Sequence, residues 1–197
     1  IFYTFRFFPL IFSTPNFLNT MIPLSMSLIF IFIYLSFNTT NIKSIISYLA
    51  FSQVSIIFYI FCLKEYHAAM FYFITLSLSI TMLYLSIGYV VSKFNNISNV
   101  KVMGGIIFKM PSMFLFTLIA FLSTSGVPFF SGFYSHEVII STFHNSEQVI
   151  LVPSILIGIS ASFLISYVFL KNIILIFLGK NKGNIHEFNK INENSST

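Results

Sequence analysis

The sequence predicts an all-α polytopic membrane protein, with about five transmembrane helices, one of them broken. Of its 197 residues, 56% are hydrophobic and only 8% are charged. Several apolar runs reach the roughly 20 residues that a helix needs to cross a bilayer. The short polar stretches between these runs have the composition of loops. The pattern excludes an ordinary soluble domain.

The predicted elements follow the apolar runs in chain order. A partial or interfacial helix over 1–16 precedes a transmembrane helical domain over 17–178, and a polar tail over 179–197 follows it. The predicted spans are 17–37, 42–63, 68–91, 106–143 with a break near 126–132, and 149–178.

The fourth span is the unusual one. At about 1.5 Å per residue, a continuous helix over 106–143 would be much longer than a bilayer is thick. Gly126, Pro128 and Gly132 provide the break, because proline lacks an N–H and glycine allows a bend and close packing.

His136 and Glu137 follow this break and are the candidate proton-exchanging residues, which would titrate as a coupled pair. Ionisable residues inside a membrane commonly mark an ion or proton path, and histidine changes charge near neutral pH. The alternative interpretation is a plain kink, with both side chains at a helix end facing headgroups.

Other polar residues form a candidate polar path. Ser52 and Gln53 lie in the second span, where hydrogen bonding between packed helices is the simpler interpretation and a water chain the alternative. The other members of this candidate path are Lys43, Lys109 and Lys171.

The basic residues predict the orientation. With alternating spans, seven lysines (Lys43, Lys93, Lys101, Lys109, Lys180, Lys182 and Lys190) fall on one side and Lys64 on the other. This bias predicts that the tail faces the matrix or cytoplasm. The net charge of +5 therefore fits membrane orientation better than nucleic-acid binding, and we expect no nucleic-acid partner.

Cysteine usage and motifs predict no redox or metal site of the chain's own. Cys62 stands alone, so the sequence contains no disulfide framework and no cysteine-based metal cluster. We found no phosphate-binding loop, flavin motif or haem motif. The residue bias towards Phe, Ile, Asn and Lys is typical of an AT-rich coding sequence and hints at an organelle genome.

Four segments resemble the antiporter-like membrane subunits of respiratory complex I, and they occur in family order and spacing. Residues 42–48 followed by Ser52 and Gln53 resemble "IKRIIAYSSIS", and residues 103–105 followed by Pro111 resemble "GGL…P". Residues 125–133 resemble the broken helix "xGIPPxxGF", and residues 162–171 resemble the helix that often ends "YYLR".

The resemblance implies the second inverted repeat of a 14-helix antiporter-like fold, with the first repeat supplied by another chain. It implies a membrane-arm subunit that contributes to proton translocation coupled to quinone reduction, as a non-redox part of NADH:ubiquinone oxidoreductase. His136 takes the position of the family's Lys or Glu. FMN, iron–sulfur clusters and ubiquinone would belong to other subunits, with no cofactor bound by this chain. Other complex I membrane subunits and lipid are the expected partners, in the mitochondrial inner membrane.

Within the family, the sequence favours subunit 2, with subunits 4 and 5 as alternatives. Subunits 4 and 5 usually carry a His and a Lys in the helix that matches 68–91, where this chain has Leu76 and Ile80. Residues 132–137, by contrast, are more similar to the "GFYSKD" of subunit 5. Two other functions stay open: a structural complex I subunit that does not pump, and part of a cation/proton antiporter.

Overall fold

The computed structural model describes the backbone of residue 6 and of residues 15–94, 97–144 and 151–180. It describes side chains over the same ranges except 15–19, 142–144 and 151–157. The predicted 1–16 helix and 179–197 tail therefore lie almost wholly outside the described residues. The described chain is all-helical, which confirms the predicted fold class. Its α-helices are α1 (Pro15–Asn38), α2 (Ile42–Cys62), α3 (Tyr66–Lys93), α4 (Pro111–Thr124), α5 (Ser131–His144) and α6 (Leu151–Ile173).

Four of the described helices are long and apolar enough to cross a membrane. They comprise Thr20–Asn38 of α1, all of α2 and α3, and a segment of α6 with its π-helical extension, Gly158–Leu178. The predicted fourth span is divided into α4 and α5, each of 14 residues. Each half rises about 21 Å at 1.5 Å per residue, which is less than the bilayer core of about 30 Å. Neither half alone is long enough to cross the bilayer core, so a crossing needs both.

One end of the bundle is held together by backbone pairing between two loops. The Ile42 N–H donates to the Ser98 carbonyl, and the Val100 N–H donates to the Thr40 carbonyl, both at 2.9 Å. Asn41 also caps α2, because its side chain accepts from the Lys43 N–H. This end, called the basic end below, carries Lys43, Lys93, Lys101, Lys109 and Lys171.

The core lies mainly between α2, α3 and α6, with contributions from α1 and from Ala120 and Ile139 of the broken helix. It is built largely from aliphatic side chains, such as Leu49, Leu83 and Ala161, each with less than 1% of its surface exposed. The helices α1 and α3 flank α2, while α4 and α5 both pack against α3. The break between α4 and α5 thus faces the middle of α3.

Candidate functional site

The first half of the broken helix ends in a Schellman motif. The Val127 N–H bonds the Leu122 carbonyl at 3.1 Å, and the Gly126 N–H bonds the Ser123 carbonyl at 3.3 Å. Gly126 has a φ of +72°, the left-handed conformation that this motif requires after the helix. The sequence signal of a glycine after an apolar run therefore marks a true helix end.

A tight turn joins the two halves. The Phe130 N–H bonds the Val127 carbonyl at 3.2 Å, with Pro128 and Phe129 in the centre of the turn. Phe129 has a φ of +75° at a position where turns of this kind usually have glycine. Positive φ is an outlier for a bulky residue, and the Phe129 side chain is 94% exposed.

The His136 ring lies beside the break, close to Gly126. In a continuous helix the Thr124 carbonyl would accept from the N–H of residue 128, but proline has none. The His136 ring lies within hydrogen-bonding reach of this Thr124 carbonyl. The proline therefore frees a backbone acceptor beside the His136 ring.

Two glycines make this arrangement sterically feasible. A Cβ on Gly126 would lie 2.8 Å from Cδ2 of His136, so the bare backbone leaves room for the imidazole. A Cβ on Gly132 would fall on the carbonyl oxygen of Ser123. Gly132 lies in the first turn of α5, beyond the break, and its role is close approach between the two half-helices.

A buried pair from α2 and α3 supports the other side of His136. The Tyr72 ring meets the His136 ring edge to face, with centroids 5.2 Å apart. The Tyr72 hydroxyl donates to Oε1 of Gln53, and both side chains are buried. Four helices thus meet at one place, through Gln53 of α2, Tyr72 of α3, Thr124 of α4 and His136 of α5.

Three serine hydroxyls connect α3 to both halves of the broken helix. Ser79 and Ser123 lie 2.8 Å apart between their Oγ atoms, and Ser123 and Ser131 lie 3.1 Å apart. Ser79 also bonds the Thr75 carbonyl of its own helix at 2.9 Å. Ser79 and Ser123 are buried, whereas Ser131 is exposed.

Two cavities lie beside His136 and Tyr72. One, of about 70 Å³, is lined by His136 itself and by side chains of α2, α5 and α6, including Ile56 and Ser162. The other, of about 10 Å³, lies between α3 and the break and is lined by Tyr72, Thr75, Leu76, Ser79, Ser123, Thr124 and Gly132.

The structure brings together some of the residues that the sequence singles out. Gln53 meets the His136 site through Tyr72, while Ser52 bonds the Leu49 carbonyl of its own helix. Glu137 is exposed. Neighbouring residues on a helix point about 100° apart, so the two side chains leave α5 in different directions, and coupling between Glu137 and His136 stays a prediction.

The three candidate lysines lie away from this site. Lys43 opens α2, Lys109 follows the 3₁₀ turn Ile106–Phe108, and Lys171 lies near the end of α6. Lys171 and Lys101 line one polar pocket at the basic end with Asn172. A role for these lysines in a polar path stays a prediction.

Sequence reasoning missed Tyr72, Thr124 and Ser123 as site residues. The signal for Thr124 was present, because a proline four residues later leaves its carbonyl without a helical partner. No comparable signal marks Tyr72, which lies in an almost continuous apolar run. Its contacts depend on which face of α3 meets the broken helix.

We expect Gln53→Leu to destabilise the fold by about 1–3 kcal/mol, because it leaves the buried Tyr72 hydroxyl without its partner. Adding Tyr72→Phe should recover part of this loss, since it removes the stranded hydroxyl. The measurement is resistance to trypsin on heating in detergent. Ser52→Ala is the control, because the Ser52 hydroxyl donates to the Leu49 carbonyl of its own helix. Strict additivity of Gln53→Leu and Tyr72→Phe would show that the pair is not coupled.

Comparison with known proteins decides the family. Residues 1–165 match the family described as "NADH:quinone oxidoreductase/Mrp antiporter, TM". The chain belongs to this family. The antiporter-like resemblance of the four sequence segments is thereby confirmed at the level of the family.

Individual relatives support the same family assignment. The NADH-quinone oxidoreductase subunit L of Rickettsia typhi is 34% identical over 143 residues, which are 73% of this chain and 21% of that protein. The NADH-ubiquinone oxidoreductase chain 5 of Acanthamoeba castellanii is 26% identical over 156 residues, 79% of this chain and 23% of that protein. Chain 5 of Lycodon semicarinatus is 37% identical over 106 residues, which are 54% of this chain and 18% of that protein. The chain spans about a fifth of the length of these curated relatives.

The preference for subunit 2 within the antiporter-like family is not supported. These relatives are named subunit L or chain 5. The preference relied on Leu76 and Ile80, where subunits 4 and 5 usually have ionisable residues. The similarity of segment 132–137 to subunit 5 agrees with the names of these relatives.

Proposed function

We propose that this chain is part of a chain 5-type membrane subunit of a proton-pumping NADH:quinone oxidoreductase. In this proposal it provides a section of a proton path at the broken helix, and His136 is the residue that exchanges protons. One observation carries the proposal: the His136 ring packs against the Tyr72 ring and beside Gly126 of the break, where four helices meet.

The surroundings of His136 suit proton exchange. A histidine ring can both release and accept a proton near neutral pH. The cavity of about 70 Å³ on one side has room for water, although its lining is mostly apolar. On the other side the Tyr72–Gln53 pair fixes the position of the ring. Pro128, Gly126 and Gly132 contribute by building the break.

The remaining parts of the proposal concern the assembly. FMN, iron–sulfur clusters and ubiquinone belong to other subunits in this proposal, and this chain binds none of them. Residues outside this sequence, on the same or another polypeptide, supply the first repeat. Neighbouring complex I membrane subunits cover the exposed turn at Phe129, because irregular backbone is not stable against lipid. The location is the mitochondrial inner membrane, with the basic end towards the matrix.

A structural subunit without pumping is the second candidate, and one observation favours it. The buried polar side chains of the described residues are Ser, Thr, Gln and Asn, with no Lys, Arg, Asp or Glu. A complete proton path commonly contains several ionisable groups. Within the described part of the chain, pumping would therefore depend on His136.

Affinity purification of the tagged natural protein from mildly solubilised membranes tests the assembly. We expect flavin- and iron–sulfur-containing subunits to co-purify in one large complex that oxidises NADH with quinone as the acceptor. Mass spectrometry identifies the partners, and an unrelated tagged inner-membrane protein is the control. Purification apart from all flavin and iron–sulfur proteins would favour a separate cation/proton antiporter instead.

A further inference from the structure

The polar pocket at the basic end lies where α1 ends and α2 begins. Its volume of about 290 Å³ is close to the lower limit of roughly 300–1,000 Å³ for small-molecule sites. The polar side chains that line it include those of Asn38, Thr39, Thr40, Lys101, Lys171 and Asn172. Ammonium, amide and hydroxyl groups all donate hydrogen bonds, so this lining suits a ligand that is rich in acceptor oxygens.

Backbone hydrogen bonds hold one wall of the polar pocket in place. The Val100 N–H donates to the Thr40 carbonyl at 2.9 Å, which fixes the loop that carries Lys101 against the connection between α1 and α2. The Lys101 N–H donates to the Asn99 side chain at 3.1 Å, while the lysine side chain itself is exposed. The protein therefore presents the Lys101 ammonium group from an anchored backbone.

One stripe of α6 forms another wall of the polar pocket. Four of its residues line the pocket, at spacings of three or four that place them on one helix face: Val168, Lys171, Asn172 and Leu175. Asn172 is buried, and its amide donates to the Val168 carbonyl at 2.8 Å. Lys171 is exposed. The stripe thus sets an ammonium group between two apolar side chains.

The polar pocket lies near the ends of two membrane spans. Asn38, which ends the span Thr20–Asn38, lines it, and Lys171 lies seven residues before Leu178, where the span Gly158–Leu178 ends. Seven residues correspond to about 10 Å along a helix. A lysine side chain at this depth can extend its ammonium group to the headgroup layer. The pocket therefore lies at the depth of the lipid headgroups and the first part of the acyl chains.

Charge and exposed apolar surface together favour a phospholipid over a soluble anion. Lys101 and Lys171 are charged, and the described residues that line the polar pocket include no Asp or Glu. Phe37 and Leu175 also line it, and both side chains are exposed. A free phosphate would satisfy the lysines and leave this apolar surface uncovered, whereas a phospholipid has a part for each. Basic pockets between membrane helices on the matrix or cytoplasmic side commonly bind anionic headgroups.

We propose that the polar pocket binds the headgroup of an anionic phospholipid. The ammonium groups of Lys101 and Lys171 contact its phosphate, and its acyl chains lie along Phe37 and Leu175. The bound lipid connects the loop after α3 to α6, and it therefore stabilises the basic end of the bundle. The site does not depend on proton exchange at His136, so its failure and the failure of the proposed function are separate outcomes.

The test uses the assembled complex in phosphatidylcholine vesicles that contain a trace of photoactivatable lipid, either phosphatidylglycerol or phosphatidylcholine. Mass spectrometry measures the label on the segments 36–40 and 168–175. We expect the phosphatidylglycerol probe to label them about tenfold or more above the phosphatidylcholine probe. Lys101→Gln and Lys171→Gln should each lower this excess about fivefold, and Lys171→Arg should retain it because the charge is kept.

The matched control is Lys93→Gln. This substitution removes the same charge from the same end, but Lys93 lies over the Tyr89 ring, 5.8 Å from its centroid, and does not line the polar pocket. We expect it to leave the labelling unchanged. Excess inorganic phosphate should displace the phosphatidylglycerol probe no more than sodium chloride of equal ionic strength does.

Four results would overturn the lipid site. Equal labelling by the two probes would exclude selection of an anionic headgroup, and an equal loss in Lys93→Gln would reduce the effect to general surface charge. Selective displacement by inorganic phosphate would make it a site for a free anion. Absence of label from both probes would mean that another protein covers the pocket. If Lys171→Gln does not assemble, Lys101→Gln decides, because its exposed side chain has little packing to lose.

Discussion

Gly132→Ala should prevent α4 and α5 from packing closely at the break. We expect this to lower recovery of the assembled subunit severely. The added methyl group would overlap the carbonyl oxygen of Ser123, which belongs to the backbone and cannot rotate away. Forcing extra volume into a well-packed site typically costs about 1–3 kcal/mol, and backbone overlap is at the upper end or beyond. The change would also separate Ser123 from Ser131 and widen the gap between the two half-helices.

The matched control for this substitution is Gly88→Ala. Gly88 lies within α3, and a Cβ built there meets nothing within 4 Å. Alanine also has the higher helix propensity, so Gly88→Ala should be neutral or slightly stabilising. The measurement is the amount of subunit recovered in the complex and its resistance to heating in detergent. Equal recovery of the two variants would contradict the close contact between Gly132 and Ser123.

Much of the fold follows from simple properties of the sequence. Runs such as 42–63 are long and apolar enough to require a membrane, and the described helix Ile42–Cys62 follows that run almost residue for residue. Gly126 and Pro128 predict a helix break by their backbone chemistry alone, and Gly126 indeed adopts positive φ. These signals are local, so a single sequence is enough to interpret them.

The partners within the site could not be predicted in the same way. A membrane helix is apolar on all sides, so the pattern of apolar residues does not show which face is inside. Tyr72 and Ser79 of α3 therefore gave no sign that they would meet His136 and Ser123. Glu137 is next to His136 in sequence, which predicts a pair; its side chain is exposed, and the coupling of the two stays a prediction.

His136→Leu should remove proton exchange from this chain while leaving its fold largely intact. Leucine has a similar size and can occupy the partly apolar surroundings of Tyr72 and Ile139. Losing a proton-transferring group commonly lowers the rate of its step by about 10²–10⁴-fold. His136→Lys should retain part of the function, because lysine also carries a proton and is one of the types that the family resemblance places here.

The ratio of protons moved to electrons transferred tests the role of His136 most directly. NADH oxidation and acidification are recorded together in sealed vesicles that hold equal amounts of the assembled natural complex, His136→Leu and His67→Leu. His67→Leu is the control, because His67 is an exposed histidine at the start of α3. We predict a lower proton-to-electron ratio for His136→Leu and an unchanged ratio for His67→Leu. An unchanged ratio for His136→Leu in a normally assembled complex would contradict the account and make this chain a structural subunit.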